Sequence, residues 1–242
     1  MIDIHTHIIP FVDDGSPSIE ESIKMIKHEI DIGVDTIICT PHHIYKRYET
    51  SVDEIKKQYN LLLEEAEKEK LPVKLLLGQE ICYTHREDQI KMLKEGKLLT
   101  MNNTNRVLLE FSFTREPEDL LEVIYNFSVN GYQVIIAHVE RYDWMTFDKV
   151  IALRNEGALI QINSNSYLGF TTWKEKKFTR KLIKRGLVDF VASDAHSFRP
   201  STLDKAYSKI KQSKLFNASH LHRRVCLFQS FLGKLLDQYQ SC

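Results

Sequence analysis

The sequence predicts an α/β fold, a distorted (β/α)7 barrel of the TIM type with extra helices at its C-terminus. Three observations support this fold class. Seven short apolar segments alternate with helical segments along the chain. Most of these segments are continuous apolar runs, which is typical of parallel strands covered on both faces. Nearly every segment ends in a His, Asp or Glu, and a barrel gathers all its strand ends at one rim.

The predicted strands are four to six residues long and are separated by helices, which indicates parallel pairing with right-handed crossovers. An open doubly wound sheet fits the same alternation. It would spread the polar strand ends along a line, however, whereas a closed barrel brings them together. The strands are predicted at residues 2–7, 36–39, 73–78, 107–111, 134–137, 158–163 and 188–193.

Capping residues and glycines mark the helices between these strands. Ser18 and Ser51 each precede a Glu by three residues, the spacing of a capping box. Gly33 and Gly186 stand where helices end, and a polar loop is expected at residues 164–166. Helices are predicted at residues 18–33, 51–70, 87–95, 118–130, 147–156 and 173–185, with two or more helices from residue 202 onward.

The composition predicts one globular domain over residues 1–242. The chain is 43% apolar and 27% charged, and no apolar run is long enough to cross a bilayer. Its 33 Lys and Arg balance 33 Asp and Glu, so no overall field attracts nucleic acid or an anionic membrane. We therefore expect no nucleic-acid partner and no membrane insertion, and any recognition of an anion must be local.

The four cysteines predict a cytoplasmic protein with reduced thiols. Cys39, Cys82, Cys226 and Cys242 are scattered and form no Cys-x-x-Cys pair. This spacing argues against a disulfide framework and against a thiolate zinc site. Removal of a targeting peptide of about fifteen or more residues would also remove the first strand and its histidines, so no cleaved peptide is expected.

The first strand carries half of a candidate metal site. His5 and His7 are two residues apart, so their side chains project from one face of a strand and can bind one ion together. Single members of the wider polar set have plain structural explanations, such as a turn at Asp14 or a helix cap at Glu80. Their joint placement at strand ends favours metal binding instead. The candidate ligands are His5, His7, Asp14, His42, Glu80, Glu110, His138, Asp194 and His196.

These five imidazoles and four carboxylates are enough for two or three ions. Mixed nitrogen and oxygen ligands without thiolate suit manganese, iron or zinc. Neighbouring ions can activate a shared water and neutralise the oxygens of a phosphate ester. Arg141 and Arg199 each follow a candidate histidine by three residues and could bind phosphate in bidentate fashion, although each also fits a solvated surface arginine.

The candidate ligands lie in motifs that resemble those of the polymerase and histidinol phosphatase (PHP) superfamily. Within it, they are most similar to the manganese-dependent bacterial protein-tyrosine phosphatases of capsule and exopolysaccharide loci. The resemblance runs from residue 1 to about residue 200 and is weak over the C-terminal helices. Its motifs are His5-Thr6-His7, Asp13-Asp14-Gly15, Thr40-Pro41-His42-His43, Gly78-Gln79-Glu80, Leu109-Glu110-Phe111, Ala137-His138-Val139-Glu140-Arg141 and Ser193-Asp194-Ala195-His196.

The resemblance implies a PHP-type catalytic domain with a trinuclear manganese site. It implies three ligand sets: His5, His7, Glu80 and Asp194; Glu80, Glu110 and His138; and Asp14, His42 and His196. Arg141, Arg199 and His138 are implied to act in catalysis, the arginines by binding phosphate. The implied substrate is phosphotyrosine on a cognate bacterial tyrosine kinase that regulates capsule or exopolysaccharide synthesis. Val139 stands where these phosphatases usually carry proline, in the loop that aims Arg141.

Other chemistries have less support in the sequence. No cysteine precedes an arginine at Cys-x5-Arg spacing, and neither a Gly-x-x-x-x-Gly-Lys loop nor a Gly-x-Ser-x-Gly elbow is present. Three alternatives stay open: a phosphatase of small molecules such as histidinol phosphate, an amidohydrolase, and a non-catalytic metal-binding module. His43 is a candidate general acid. The basic and aromatic loop at residues 44–48 is a candidate docking surface for a phosphotyrosine peptide.

Overall fold

The structure, a computed structural model, describes residues 1–213, and the helices predicted beyond them lie outside the described residues. This part of the chain contains nine strands and eight α-helices. The strands are β1 Ile2–Thr6, β2 Thr36–Cys39, β3 His42–His43, β4 Lys74–Leu77, β5 Glu80–Cys82, β6 Arg106–Glu110, β7 Gln133–Ile136, β8 Leu159–Asn163 and β9 Phe190–Ala192. The helices are α1 Ile19–Asp31, α2 Val52–Lys68, α3 Gln89–Lys94, α4 Leu120–Val129, α5 Phe147–Asn155, α6 Ser164–Leu168, α7 Trp173–Lys184 and α8 Leu203–Gln212.

All seven predicted strands are present, and two further short strands follow β2 and β4 after a break of two residues. The first break contains Pro41, which cannot donate to a strand ladder. The second contains Gly78, where a Cβ would lie 3.0 Å from the Met101 sulfur and 3.3 Å from the Ile38 side chain. Beyond the breaks, β3 and β5 pair with each other in a register that sets His42 opposite Glu80.

The strands pair in parallel throughout and form two sheets. One sheet has the order β1-β2-β4, and the other has the order β3-β5-β6-β7-β8-β9. Backbone hydrogen bonds join the end of β1 to the chain after β9: Asp194 N donates to His5 O, and His7 N donates to Ala195 O, both at 2.9 Å. The prediction of a parallel α/β fold is confirmed, and its closure into one barrel stays a prediction.

The polar loop predicted at residues 164–166 is wrong, because these residues begin the short helix α6. The helix starts directly after Asn163, the last residue of β8, and ends at Gly169. Gly169 adopts a left-handed conformation with φ 89°, which is the usual way for a helix to end at glycine. A run of Ser and Asn carries little intrinsic helix preference, so its sequence did not indicate a helix.

Two apolar clusters fill the two sides of the strands. The larger contains residues of both strands and helices, and the smaller consists mostly of strand residues such as Ile4, Leu108 and Ile135. Pairing between β1 and β2 is irregular between Asp3 and Thr6, the segment that contains His5. Among residues 1–213, no helix combines the length and the apolar character needed to span a membrane.

Candidate metal centre

The nine predicted ligands converge at the carboxyl ends of the strands. Seven come from the carboxyl end of a strand or from the segment that follows it, and His42 and Glu80 begin the short strands β3 and β5 just after β2 and β4. Parallel α/β folds place their sites at this side of the sheet. His138 and Asp194 have positive φ angles of 28° and 53°, uncommon for residues other than glycine. Such backbone conformations are concentrated at functional sites. Eight of the nine side chains are largely buried, and Asp14, with 37% of its side chain exposed, lies at the mouth.

Glu80 is the centre of this cluster and is fully buried. Its Oε2 lies 3.1 Å from His5 Nε2, 3.2 Å from His7 Nε2 and 2.9 Å from His42 Nδ1. Its Oε1 lies 3.0 Å from His138 Nε2. Despite these short distances, Oε2 makes no hydrogen bond of acceptable geometry. Nitrogen and oxygen donors that converge on one buried point match the mixed ligand set of a divalent transition-metal ion.

The other ligand atoms surround Glu80 in overlapping groups. His5 Nε2 and His7 Nε2 are 3.1 Å apart, and Asp194 Oδ1 lies within 3.7 Å of both. Four groups have ligand atoms within 4.8 Å of one another: His7, His42 and His196; His5, Glu80 and His138; His5, His7 and Asp194; and His42, Glu80 and Glu110. These groups overlap the three implied ligand sets without reproducing them, so the assignment of ligands to individual ions stays a prediction.

The pKa values of the candidate imidazoles are shifted in both directions: those of His5, His7 and His42 are raised, and those of His138 and His196 are lowered. Burial lowers the pKa of His138 to about 4, and burial together with the charge of His7 lowers the pKa of His196 to about 3. These imidazoles are neutral at pH 7 and can offer a lone pair. The net shift of His42 is in the other direction. Burial acts to lower its pKa, but the negative charge of Glu80 outweighs burial, and the pKa is raised to about 9. Without a metal, the central carboxylate therefore attracts protons that a divalent cation would displace.

Two arginines border the cluster and share Asp194. Arg141 Nη1 lies 3.2 Å from Asp194 Oδ2, and Arg199 Nη2 lies 2.8 Å from Asp194 Oδ1. The Arg141 guanidinium also lies over the Phe113 ring, 4.3 Å from its centroid. The two side chains are 29% and 27% exposed. A guanidinium has five N–H donors, so both can contact Asp194 and still donate towards the mouth.

A family model described as capsular polysaccharide synthesis, CpsB/CapC, matches residues 1–221. The chain belongs to the CpsB/CapC family. The matched range contains every candidate ligand and both arginines, so the family resemblance drawn from the sequence motifs is confirmed.

Comparisons with individual proteins agree with this membership. The putative tyrosine-protein phosphatase CapC of Staphylococcus aureus is 36% identical over 215 residues, which cover 87% of this chain and 84% of that protein. A crystal structure from a study of YwqE from Bacillus subtilis and CpsB from Streptococcus pneumoniae, metal-dependent tyrosine phosphatases, matches with a TM-score of 0.81. It is 34% identical and covers 89% of both chains. A histidinol phosphate phosphatase from Lactococcus lactis, crystallised with zinc, matches with a TM-score of 0.59. The match covers 86% of this chain and 91% of the phosphatase chain, and its 16% identity shows a shared fold alone.

Asp13 supports two candidate ligands of this CpsB/CapC chain. The sequence had indicated no role for it. Asp13 Oδ2 lies 2.7 Å from His7 Nδ1 and accepts a hydrogen bond from His42 N at 2.9 Å. Gly15, two residues after Asp13, is required for this packing, since a Cβ there would lie 2.0 Å from His7 O. Carboxylates that accept from the second nitrogen of a ligating histidine fix its orientation. Nothing in the Asp-Asp-Gly pattern distinguishes this role from that of Asp14.

Two further supporting residues, Gln161 and Asn163, come from β8, the strand for which no ligand was predicted. Gln161 Oε1 accepts from His138 N at 2.7 Å and lies 3.2 Å from His5 Nδ1. Gln161 Nε2 donates to Asn163 Oδ1, and Asn163 Nδ2 donates to Asp194 Oδ2, both at 2.8 Å. Their spacing of two residues in an apolar strand was the available signal for a shared inward face.

His43 lies apart from the cluster, although it adjoins His42 in the sequence. Its side chain is buried, and its Nε2 lies 3.0 Å from Glu87 Oε2. It lines a separate cavity of about 540 Å³. The following loop stays near the mouth, because the Tyr48 ring stacks on His42 with centroids 5.9 Å apart. The loop is therefore adjacent to the centre, whereas His43 faces away from it.

The replacement Asp13→Ala is expected to weaken metal binding about 10- to 100-fold, because supporting partners of ligating histidines typically contribute that much. The measurement is a calorimetric titration of the metal-free protein with manganese. Asp53→Ala, which removes an exposed carboxylate in the first turn of α2, is the matched control. Wild-type affinity in the Asp13 variant would contradict the supporting role.

Proposed function

We propose that this chain is a metal-dependent protein-tyrosine phosphatase, a phosphoric monoester hydrolase acting on phosphotyrosine in a polypeptide. The observation that carries the proposal is the convergence of five imidazoles and four carboxylates beside two arginines. Membership of the CpsB/CapC family and relatives described as tyrosine phosphatases support the same activity. The proposed partner is a cognate bacterial tyrosine kinase that regulates capsule or exopolysaccharide synthesis.

The proposed cofactor is manganese, with two or three ions bound, although the donor set also suits iron or zinc. The position of Glu80 between His5, His7 and His42 on one oxygen and His138 on the other supports a bridging role for it. The proposed ligands are the nine of the sequence prediction: His5, His7, Asp14, His42, Glu80, Glu110, His138, Asp194 and His196.

In the proposed reaction, the side chains of the chain bind and orient the phosphate ester. Divalent ions at such a centre lower the pKa of water and offset the charge of the phosphoryl oxygens. Arg141 and Arg199 donate to the remaining oxygens, and Asp194 fixes the direction of both guanidinium groups. A tyrosinate leaving group has a solution pKa of about 10 and departs fairly readily. The reaction therefore does not need His43, which faces Glu87, as a general acid.

Several wider features belong to the same proposal. The backbone contacts between β1 and the chain after β9 support closure of the two sheets into one distorted barrel. We treat residues 1–242 as a single catalytic domain. The loop at residues 44–48, whose Arg47 guanidinium lies 5.0 Å from the Tyr48 ring centroid, is the proposed docking surface for the peptide. A reducing, cytoplasmic setting remains the prediction from the free thiols Cys39 and Cys82.

A substrate comparison tests the proposed activity. With manganese present, we expect kcat/KM for a phosphotyrosine peptide to exceed that for histidinol phosphate by at least about tenfold, which corresponds to about 1.4 kcal/mol of transition-state binding. The measurement is steady-state release of phosphate from each substrate. The reverse order would favour a small-molecule phosphatase. Absence of turnover on both substrates by a metal-loaded protein would favour a non-catalytic module.

A further inference from the structure

Helix α7 concentrates positive charge in a chain whose total charge is zero. Residues 173–185 contain seven Lys or Arg against one Glu, a net charge of +6, whereas the whole chain has 33 of each sign. We call these seven residues the α7 stripe. They are Lys174, Lys176, Lys177, Arg180, Lys181, Lys184 and Arg185.

The charge of the α7 stripe is largely not neutralised by neighbouring side chains. In the part of the chain that the structure describes, Lys174 is the member with a carboxylate within ion-pair distance, at 2.9 Å from Asp143. Four members instead lie over aromatic rings: Lys177 over Trp173, Arg180 over Tyr167, and Lys181 and Arg185 over Phe147. Such contacts hold a cation in place without removing its charge.

Two exposed aromatic residues extend the stripe at its N-terminal end. Trp173 is 74% exposed and Phe170 is 64% exposed. Both follow β8 and α6, so they lie on the side of the fold where the strands end. Lys174 contacts Asp143, which is two residues after Arg141 in sequence. The aromatic end of the stripe therefore borders the mouth of the metal centre, and the rest of α7 runs away from it.

The chemistry of this surface fits a lipid headgroup layer better than a folded protein. Five of the seven cations are lysine, a residue depleted in protein–protein interfaces. Clusters of four to eight Lys or Arg attract anionic lipids, and exposed Trp inserts at the headgroup level. The remaining segment, residues 214–242, carries four Lys or Arg and one Asp, so its charge has the wrong sign to neutralise the stripe.

We propose that the α7 stripe docks on an anionic bilayer surface, with Trp173 and Phe170 in the headgroup layer. Docking in this way places the mouth of the metal centre at the edge of the docked face. The association is peripheral and electrostatic, so it weakens as salt screens the lysines. It is independent of the reaction that the metal centre performs.

Vesicle flotation of the full chain tests this surface. The probes are phosphatidylcholine vesicles with and without phosphatidylglycerol, at low and at physiological salt. We expect binding to the anionic vesicles alone. The triple variant Lys177→Gln, Lys181→Gln, Lys184→Gln should bind on the order of 100-fold more weakly, because each basic residue near such a surface contributes about fivefold. Trp173→Ala should cause a smaller loss that salt does not change.

The triple variant Lys57→Gln, Lys68→Gln, Lys91→Gln is the matched control, since it removes the same charge from exposed lysines elsewhere. Wild-type binding by this control supports the α7 stripe. Equal losses of vesicle binding in both triple variants would show that binding responds to the net charge of the chain, and this result would overturn the proposal. Failure of the wild-type chain to bind anionic vesicles at low salt would also overturn it, as would binding to polyglutamate but not to vesicles.

Discussion

Removal of metal ions with a chelator is expected to abolish hydrolysis of phosphotyrosine by this chain, and manganese is expected to restore it best. The central contacts explain the size of the effect. Glu80 lies within 3.2 Å of nitrogens from His5, His7, His42 and His138, and without a cation its charge raises the pKa of His42 and favours protonation of that ligand. In that state only the two arginines offset the charge of the phosphoryl oxygens, and no divalent ion is present to activate water. Turnover of a phosphotyrosine peptide, measured before chelation, after it and after metal return, gives the result.

The variant Glu80→Gln is expected to cause the same loss, because an amide cannot replace a carboxylate in the proposed bridge between two cations. We expect at least about a thousandfold loss in kcat, the scale of several kcal/mol that metal ions contribute, with no recovery at high manganese. Glu54→Gln, on the exposed surface of α2, is the control. Full activity of a metal-free preparation, or rescue of Glu80→Gln by manganese, would rule out the proposed centre.

The framework of this fold was predictable from local patterns. The seven apolar runs are strands, and the capping serines Ser18 and Ser51 accept from Glu21 N and Glu54 N at 3.2 Å and 3.3 Å. The strands β3 and β5 were not predicted, because two- and three-residue strands are too short to show a period. Their directions depend on the breaks at Pro41 and Gly78, which local propensity does not describe.

The convergence of the candidate ligands was predictable for a related reason. In parallel α/β folds the carboxyl end of every strand lies on one side, so residue type and position in the strand suffice. The grouping of ligands was not predictable. Its members include residues with irregular backbone: the pairing of β1 shifts between Asp3 and Thr6, and His138 and Asp194 have positive φ angles. Both are consequences of packing between segments that are far apart in the sequence.

The supporting residues escaped sequence reasoning because their chemistry is ordinary. Gln161 and Asn163 are neutral amides, and Asp13 adjoins Asp14, which the sequence alone marks equally well as a supporting carboxylate or a ligand. Their roles appear when β8 lies between His138 and Asp194 and the amides bridge them. Buried polar side chains require such partners, so inward-facing amides next to a cluster of charges indicate a supporting network.

Replacement of Arg141 by alanine is expected to lower kcat/KM for a phosphotyrosine peptide about 100- to 1000-fold, the effect of removing one preorganised donor to developing negative charge. Arg141→Lys should recover little, because an ammonium cannot donate in bidentate fashion or stack on Phe113 as a guanidinium does. Steady-state kinetics on both variants, with inorganic phosphate as a competitive inhibitor, give the result. The inhibition constant for phosphate should rise together with the loss of kcat/KM.

Two controls separate phosphate binding from folding and metal loading in this experiment. Arg185→Ala removes an exposed guanidinium at the C-terminal end of α7, away from the mouth, and should leave kinetics in solution unchanged. Manganese content of Arg141→Ala should match that of the wild type, because Asp194 still contacts Arg199 at 2.8 Å. If Arg141→Ala loses activity only in proportion to its loss of manganese, Arg141 supports Asp194 and does not bind substrate. Near-normal turnover by this variant would contradict both roles.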